Sequence, residues 1–373
     1  MSSSEGKSLL LKRSMQVVSV TGFIVFLAFA LRMAYLGRGL SPFSGSSVYG
    51  GETGAVAAAI ASGRGFSSPL PRIQTGPTAW LTPIYPSRCH LLPWDTAMVG
   101  LCMAALVTAT LKIRGSNRVS WWIGYGALWA FSAMAVLPFL ALWAIWPLHQ
   151  RTAQALKLAV MTSVVFLAGI APWSIRNYLV FHKFIPFRSN FGLELWLSNN
   201  PGVPDTWAGF LHPTEDPREA AKYVRMTEIP YMDEKQSEAF AFMRTHPRDT
   251  MRFFFRRFAD NWLGIWDAPA DMWRFMPPFL KLTLVWNCLF SLLSFLGAHC
   301  AYRARCQAAL PCASVMLMFP VVFYVTHTTG RYRYPMLPIM VILTVFAFAY
   351  LLSLLVKRSA GKLWVAESVT SSS

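Results

Sequence analysis

The stretch that decides the fold runs from Pro335 to Val356 and reads PMLPIMVILTVFAFAYLLSLLV. None of its 22 residues is charged, and about 20 mostly apolar residues are enough for a helix to cross a bilayer. Five other stretches are similar, and they are Gln16–Leu36, Leu92–Leu111, Leu156–Ser174, Phe279–Cys300 and Ala308–His327. We therefore predict an all-α polytopic membrane protein with about six full spans.

The composition of the chain supports this fold class. Hydrophobic residues make up 54% and charged residues only 14%, whereas soluble domains average about 25% charged residues. Of the 17 acidic residues, 13 lie in 179–278, beside 12 basic residues. Elsewhere 22 lysines and arginines flank the apolar stretches with only four acids, as topology signals and lipid-headgroup contacts do. The net charge of +17 therefore indicates the lipid bilayer as a partner and argues against nucleic acid.

Positive charge also predicts the orientation of the chain. Lys7, Lys12 and Arg13 place the N-terminus in the cytoplasm, since basic residues accumulate on that side. The stretch Ser120–Leu148 is ambiguous, because it is long for one span, short for two, and interrupted by Pro138. A single crossing would leave the later basic clusters outside, whereas a hairpin would return them to the cytoplasm. We predict a re-entrant or tightly bent helical hairpin, which is tolerated where protein buries its backbone.

This topology divides the chain into three regions. Residues 1–178 form an N-terminal membrane region, whose first extracytoplasmic loop covers 37–91. Residues 179–278 form an extracytoplasmic α-rich region, and residues 279–373 form a C-terminal membrane region. Both polar regions and the short turn before the last span converge on one membrane face.

Two helical signals stand out within the extracytoplasmic region. Asp216, followed by Pro217 and Glu219, resembles a capping box at a helix start. The stretch Thr250–Trp262 is amphipathic, and we expect it to lie in the membrane interface with its arginines among headgroups. The alternative is an ordinary surface helix packed on its own domain. The apolar face consists of Met251, Phe254, Phe255, Phe258 and Trp262, and the basic face consists of Arg252, Arg256 and Arg257.

Two carboxylates outside this region are candidate catalytic groups. Glu52 is the only acid of the first loop, and it stands in YGGETG ahead of a small-residue helix predicted at Ala55–Ser62. Asp95 stands at the mouth of the second span. A carboxylate at a membrane face can deprotonate an acceptor hydroxyl or hold a divalent metal. The alternative for each is an acid that stabilises the first turn of a helix.

The turn before the last span reads HTTGRYRYP (327–335). Arg331 and Arg333 lie on either side of Tyr332, at an extracytoplasmic boundary. Basic residues are disfavoured on that side of the membrane, so their presence there needs another explanation. Guanidinium groups pair bidentately with phosphate, so we predict that this turn binds a lipid-linked phosphate. Arg176, at the end of the third apolar stretch, is a similar candidate. The alternative is an aromatic belt with arginines that reach out to the interface.

Several motifs resemble bacterial membrane glycosyltransferases of the GT-C superfamily, which is related to the protein mannosyltransferase and aminoarabinose transferase families. The resemblance covers most of the chain, and the block FGLELW (191–196) is its most specific part. The matching motifs are Glu52 leading into ASGRGFSSP (61–69), TGPTAWLTPIYP (75–86), APWSIRNY (171–178), RSNFGLELWLSNNPG (188–202) and RYRYP (331–335).

The resemblance implies an enzyme of the bacterial inner (plasma) membrane that takes a sugar from a polyprenyl-phosphate carrier. An acceptor outside the cytoplasm would receive the sugar. The resemblance also implies an acid in the first extracytoplasmic loop, by position Glu52, and contact of Arg331 and Arg333 with the carrier phosphate. Glu194 and Asn199 lie in the matching 188–202 motif and are further candidates for substrate binding. In one version of this transfer reaction, Glu52 holds a divalent metal.

One departure from the family pattern leaves alternatives open. Relatives place several more membrane helices between a motif like Tyr85-Pro86 and one like Trp94-Asp95-Thr96, whereas only Ser87–Pro93 separate them here. The chain is therefore either an active transferase or an internally shortened, non-catalytic protein that binds lipid-linked phosphate. A transporter is less favoured, because the chain shows neither repeated halves nor an acid within a span.

Overall fold

The computed structural model describes residues 52–70, 74–79, 94–132, 137–148, 152–203, 206–264, 278–328 and 330–370. These residues are helical, apart from their connections and one antiparallel bridge between Ser67 and Pro77. The all-α prediction is confirmed for this part of the chain. The helices are α1 (Glu52–Ala61), α2 (Trp94–Ile113), α3 (Val119–Ser132), α4 (Leu137–Ile145), α5 (Thr152–Phe181), α6 (Phe191–Ser198), α7 (Pro217–Met226), α8 (Glu228–Thr245), α9 (Pro247–Leu263), α10 (Pro278–Arg303), α11 (Ala309–Met318), α12 (Val321–Val325) and α13 (Leu337–Thr370), with 3-10 helices at Trp146–Leu148, Gly209–Leu211 and Gly330–Met336.

Three helices are long and apolar enough to cross a membrane, as in a helical membrane protein. The prediction of six full spans is wrong for the described residues, which contain three, and the predicted span Gln16–Leu36 lies outside them. Two shorter apolar helices accompany the three, at Val99–Ile113 and Ala309–Val325. The long ones are Thr152–Phe181, Lys281–Arg303 and Tyr332–Leu354, with mean hydropathies of 1.9, 1.5 and 2.4.

The predicted span Ala308–His327 is shorter than expected because proline interrupts it. Helix α11 ends at Met318, and α12 begins only at Val321. Pro320 stands between them, and its nitrogen has no hydrogen to donate to the preceding turn of a helix. The segment is therefore broken into two short helices, and neither is long enough to cross a bilayer alone.

Helix α5 has the surface expected of a lipid-facing span. Only 11% of its apolar window is buried inside the protein. Leu156, Val164, Leu167 and Ile175 are each more than half exposed. Such a continuous apolar surface is unusual on a helix that faces water, and it is ordinary on a helix that faces the hydrocarbon of a bilayer.

The two ends of the predicted hairpin meet. The amide of Gly115, just before α3, donates to the carbonyl oxygen of Ala144 near the end of α4, at 3.1 Å. Helix α3 also packs closely on α5 at Gly126, where a Cβ would lie 2.7 Å from the carbonyl oxygen of Thr162. Small residues allow helix backbones to approach in this way. The segment thus leaves the bundle at the end where it entered.

Helices α6 to α9 form a unit with its own apolar core, which includes Leu193, Leu197 and Tyr231. The predicted cap at α7 is confirmed, since the Asp216 carboxylate accepts from the amide of Arg218 at 2.8 Å. The second half of the predicted capping box is absent. The Glu219 carboxylate instead accepts from Tyr231 Oη at 2.8 Å and from Lys235 Nζ at 3.0 Å. Glu219 therefore joins α7 to α8.

Helix α9 differs from the predicted interfacial helix at Arg257 and at Trp262, which was predicted on the membrane-facing side but is only 4% exposed. Met251, Phe255 and Phe258 are exposed, as an interfacial apolar face would be. Arg257 was expected among headgroups, but it is only 1% exposed. The reason is that α9 packs against α10 and α12, so the face that carries Phe253 and Arg257 turns inward.

Candidate functional site

The site is built where α6 meets the turn between α12 and α13. Two predicted residues from distant parts of the sequence contact the same side chain there, His327. The imidazole Nδ1 lies 3.1 Å from Glu194 Oε2, and Nε2 lies 3.0 Å from Tyr332 Oη. The FGLELW block and the RYRYP turn therefore form one site in the fold.

Aromatic rings fix the position of this imidazole. Trp207 stacks on His327 with ring centroids 5.0 Å apart and an angle of 17° between the planes. The ring of Tyr332 stacks on Phe323 at 4.2 Å, nearly parallel at 3°. His327 is only 8% exposed, so its ring has little freedom to turn. The imidazole is therefore held at ion-pair distance from a carboxylate on one side and at hydrogen-bond distance from a phenol on the other.

Glu194 is held in its ionised form. Burial raises the pKa of the Glu194 carboxyl, but the hydrogen bond and charge of His327, with the charges of His212 and Arg188, outweigh it. The resulting pKa lies below the ordinary value for glutamate. Burial in turn lowers the pKa of His212, against the raising effect of Glu194. Glu194 is therefore a carboxylate at neutral pH.

Arg333, which follows Tyr332 in the turn, is buried against α10, and only some of its donors have partners. Its Nη2 donates to Ser291 Oγ at 2.7 Å and to the carbonyl oxygen of Asn287 at 2.9 Å. Its Nε and Nη1 have no hydrogen-bond partner among the described residues. The side chain is 4% exposed, and buried donors without a partner are uncommon and costly. Two separate donors of this guanidinium thus have no protein acceptor in the described part of the chain.

Arg257 is the largest departure from the expected site. Its guanidinium donates to the carbonyl oxygens of Thr206 (3.1 Å), Tyr324 (3.0 Å) and Val325 (2.9 Å). It also donates to the carbonyl oxygen of Ser198. Burial lowers the pKa of Arg257 to about 10, which leaves it charged at neutral pH. This arginine draws the end of α6 and the end of α12 together, and so it places Glu194 near His327.

Asn199 belongs to the same structural clamp. Its Nδ2 donates to the carbonyl oxygens of Leu195 and Val325, both at 2.9 Å. These bonds tie the end of α6 to the end of α12. These contacts give Asn199 a positioning role, and its predicted binding of substrate stays a prediction.

Arg176 and Glu228 attach the first loop to the rest of the protein. Arg176 Nη1 donates to the carbonyl oxygen of Thr78 at 2.6 Å, and Nη2 donates to that of Phe66 at 3.2 Å. The Glu228 carboxylate accepts from the amide of Ala79 at 2.8 Å. The guanidinium of Arg176, predicted to bind phosphate, is therefore used to hold the loop that follows Glu52.

The catalytic candidates can be placed only by their backbones. Glu52 is the first residue of α1, and Asp95 is the second residue of α2. Arg331 lies in the 3-10 helix Gly330–Met336. The side chains of all three lie outside the described part. The backbone positions of Glu52 and Asp95 match the first-turn acids of the alternative interpretation, and their predicted chemical roles stay predictions.

A cavity of about 560 Å³ lies where the first loop meets the helical unit. Its walls include Thr75 and Gly76 of the loop, Phe181 at the end of α5, and Glu228 at the start of α8. Among the residues that the structure describes, no three His, Cys, Asp or Glu side chains are grouped as metal ligands. The predicted metal at Glu52 stays untested, because that side chain is not described.

Sequence reasoning missed three residues here, His327, Arg257 and Glu228. A signal for Arg257 existed, since it shares a helical face with Phe253, Asp260 and Asn261, each about one turn away. The other two are single polar residues with no recurrent spacing. In comparisons with known proteins, no family model, no curated protein and no solved structure matches this chain.

Proposed function

We propose that the protein is a glycosyltransferase that moves a sugar from a polyprenyl-phosphate carrier to an acceptor outside the cytoplasm. The observation that supports this most is the contact of Glu194 and Tyr332 with the same imidazole, that of His327. The residue after Tyr332 is a buried arginine, Arg333, with two donors that have no hydrogen-bond partner in the described part of the chain. A charged carrier headgroup on an apolar tail would lie at this depth.

The reaction transfers the sugar in one displacement. The acceptor oxygen attacks the anomeric carbon, the bond from that carbon to the phosphate oxygen breaks, and the phosphate leaves with the bonding electrons. The acceptor proton passes to a carboxylate, which is Glu52 in this proposal, and the Glu194–His327 pair is the second candidate. Arg333 and Arg331 stabilise the charge that develops on the leaving phosphate. A divalent metal held by Glu52 would be an alternative way to activate the acceptor.

Loss of Arg333 tests the phosphate contact. We expect Arg333→Ala to weaken carrier binding by about 10- to 100-fold, because one charged hydrogen-bonding group contributes roughly 1.5–3 kcal/mol. Arg333→Lys should restore binding only in part, since lysine lacks the bidentate fork. Binding of a synthetic polyprenyl phosphate to the purified full chain measures the effect, and Arg331→Ala is tested alongside.

Arg225→Ala is the matched control, because Arg225 is an exposed arginine of α7 away from the turn. Both Nε and Nη1 of Arg333 are shielded from solvent, so binding requires the turn to open locally. Equal affinities in the wild type, Arg331→Ala and Arg333→Ala would assign the turn to an aromatic belt instead.

The orientation is part of the proposal. We expect the N-terminus in the cytoplasm of a bacterial inner membrane and Ser120–Leu148 returning to the cytoplasm. The hydrogen bond from Gly115 to Ala144 supports the last point. Reporter fusions after Arg151 and after Arg218 should report cytoplasm and exterior respectively. The reverse pattern would remove both the hairpin and the extracytoplasmic site.

The second candidate function is non-catalytic binding of lipid-linked phosphate. The short connection Ser87–Pro93 favours it, because an internal deletion would remove part of a transferase. A transfer assay with purified protein and synthetic polyprenyl-phosphate sugars distinguishes the two functions. Transfer of sugar supports the enzyme, whereas carrier binding without transfer from any donor supports the binding protein.

A further inference from the structure

A second basic cavity lies at the opposite end of the bundle from the turn 327–336. Its volume is about 490 Å³, and Arg114, Arg303 and Arg305 line it. None of its described lining residues is acidic. Arg303 is the last residue of α10, about 18 Å along that helix from the contact with Arg333. The cavity is therefore separate from the site of the proposed transfer reaction.

Arg114 is oriented by an aromatic ring and left with a free donor. Its guanidinium carbon lies 4.1 Å from the centroid of the Trp143 ring. Its Nε is buried and has no hydrogen-bond partner within the described residues. Arg303 and Arg305 are exposed and make no ion pair with any described residue. Three positive charges thus face one space, and no described residue that lines it carries a counter-charge.

Arg305 occupies a backbone position that favours glycine. Its φ is 54°, in the left-handed region where a side chain costs about 1 kcal/mol or more. The turn there ends α10, with the amide of Cys306 donating to the carbonyl oxygen of Ala301 at 2.9 Å. Glycine is the usual residue at this point of a helix end. An arginine at a strained position indicates a use for its side chain.

The rim of the cavity is apolar as well as charged. Tyr302 and Leu310 line it and are 62% and 50% exposed. Both lie at the ends of apolar helices, where Tyr is typical of the boundary between hydrocarbon and headgroups. A ligand here would have an anionic group on the arginines and an apolar group against the rim. A free phosphate ion lacks the second part.

We propose that this cavity binds the headgroup phosphate of an anionic phospholipid. Arg114, with its guanidinium flat against Trp143, contacts the phosphate from the side of α2 and α4, and Arg303 and Arg305 contact it from the loop between α10 and α11. The bound lipid thus contacts both sides of the cavity. Basic pockets between membrane helices bind acidic lipids in this manner.

The test uses the full chain in nanodiscs of equimolar phosphatidylglycerol and phosphatidylcholine. Native mass spectrometry then counts the lipids that the released protein retains. We expect wild-type protein to retain phosphatidylglycerol in preference. Replacing Arg114, Arg303 and Arg305 by glutamine should lower that retention about tenfold or more, since each lost contact is a charged hydrogen bond.

The matched control replaces Lys112, Arg118 and Lys157 by glutamine. These residues are exposed, lie at the same end of the bundle, and do not line the cavity. The control removes the same charge, so an equal loss of lipid there would show general attraction and overturn the proposal. Displacement of the lipid by millimolar inorganic phosphate would assign the cavity to a phosphate ion instead.

A single variant keeps the proposal testable if the triple variant fails to fold. Arg305→Gly removes one phosphate contact and also relieves the left-handed backbone. We expect a thermal midpoint equal to or above that of wild type in detergent without phosphatidylglycerol, together with weaker lipid retention. Unchanged retention in Arg305→Gly would contradict the role given to this arginine.

Discussion

Glu52→Gln is expected to lower the rate of sugar transfer by about 10²-fold or more. The amide is nearly isosteric with the carboxylate, so the fold should persist, but it cannot accept the acceptor's proton at neutral pH. Carrier binding should change little, since Arg331 and Arg333 are proposed to hold the phosphate. Initial rates at saturating donor, with carrier affinity measured in parallel, separate the two effects.

Glu215→Gln is the matched control, because Glu215 is an exposed acid of the helical unit. If Glu52 holds a metal, excess divalent cation should partly restore transfer by Glu52→Gln, whereas a base would show no recovery. Full activity in Glu52→Gln with a large loss in Glu194→Gln would move the chemistry to the carboxylate that contacts His327. In that case Asp95→Asn serves as the remaining comparison among the predicted acids.

Arg257→Met is expected to destabilise the protein by about 3 kcal/mol or more. Three carbonyl groups, those of Ser198, Thr206 and Tyr324, would lose the donor that the structure shows. A buried carbonyl group without a hydrogen-bond donor costs roughly 1–3 kcal/mol. Methionine removes the cost of burying the arginine charge, and this gain offsets only part of the loss. Arg257→Lys should be intermediate, because an ammonium group cannot span the same oxygens.

Arg252→Met on the same helix is the control. Its side chain is 67% exposed, and its one described ion pair, with Asp249, has a long distance of 3.6 Å. Such a surface pair contributes little to stability. Thermal unfolding of the purified proteins in one detergent, at one scan rate, compares the three variants. Equal midpoints for Arg257→Met and Arg252→Met would mean that the clamp between α6 and α12 is not stabilising.

The amino-acid sequence determined the class of this protein, because that class depends on local properties. Whether a segment such as Pro335–Val356 can cross hydrocarbon follows from its length and side chains alone. The cap at Asp216 is equally local, since it involves a carboxylate and an amide two residues further on. The number of long apolar helices was less predictable, because Pro320 divides a segment whose average hydropathy hides the break.

Only the tertiary structure decided which polar side chains act together. Arg257 and Arg252 belong to the same amphipathic helix, and the packing of α9 on α10 and α12 buries one and exposes the other. Glu194 and His327 are far apart in the chain, and they meet because Arg257 and Asn199 join α6 to the end of α12. Sequence periodicity gives the face of a helix on which a residue lies. The partner of that face depends on contacts between distant segments, which no local pattern records.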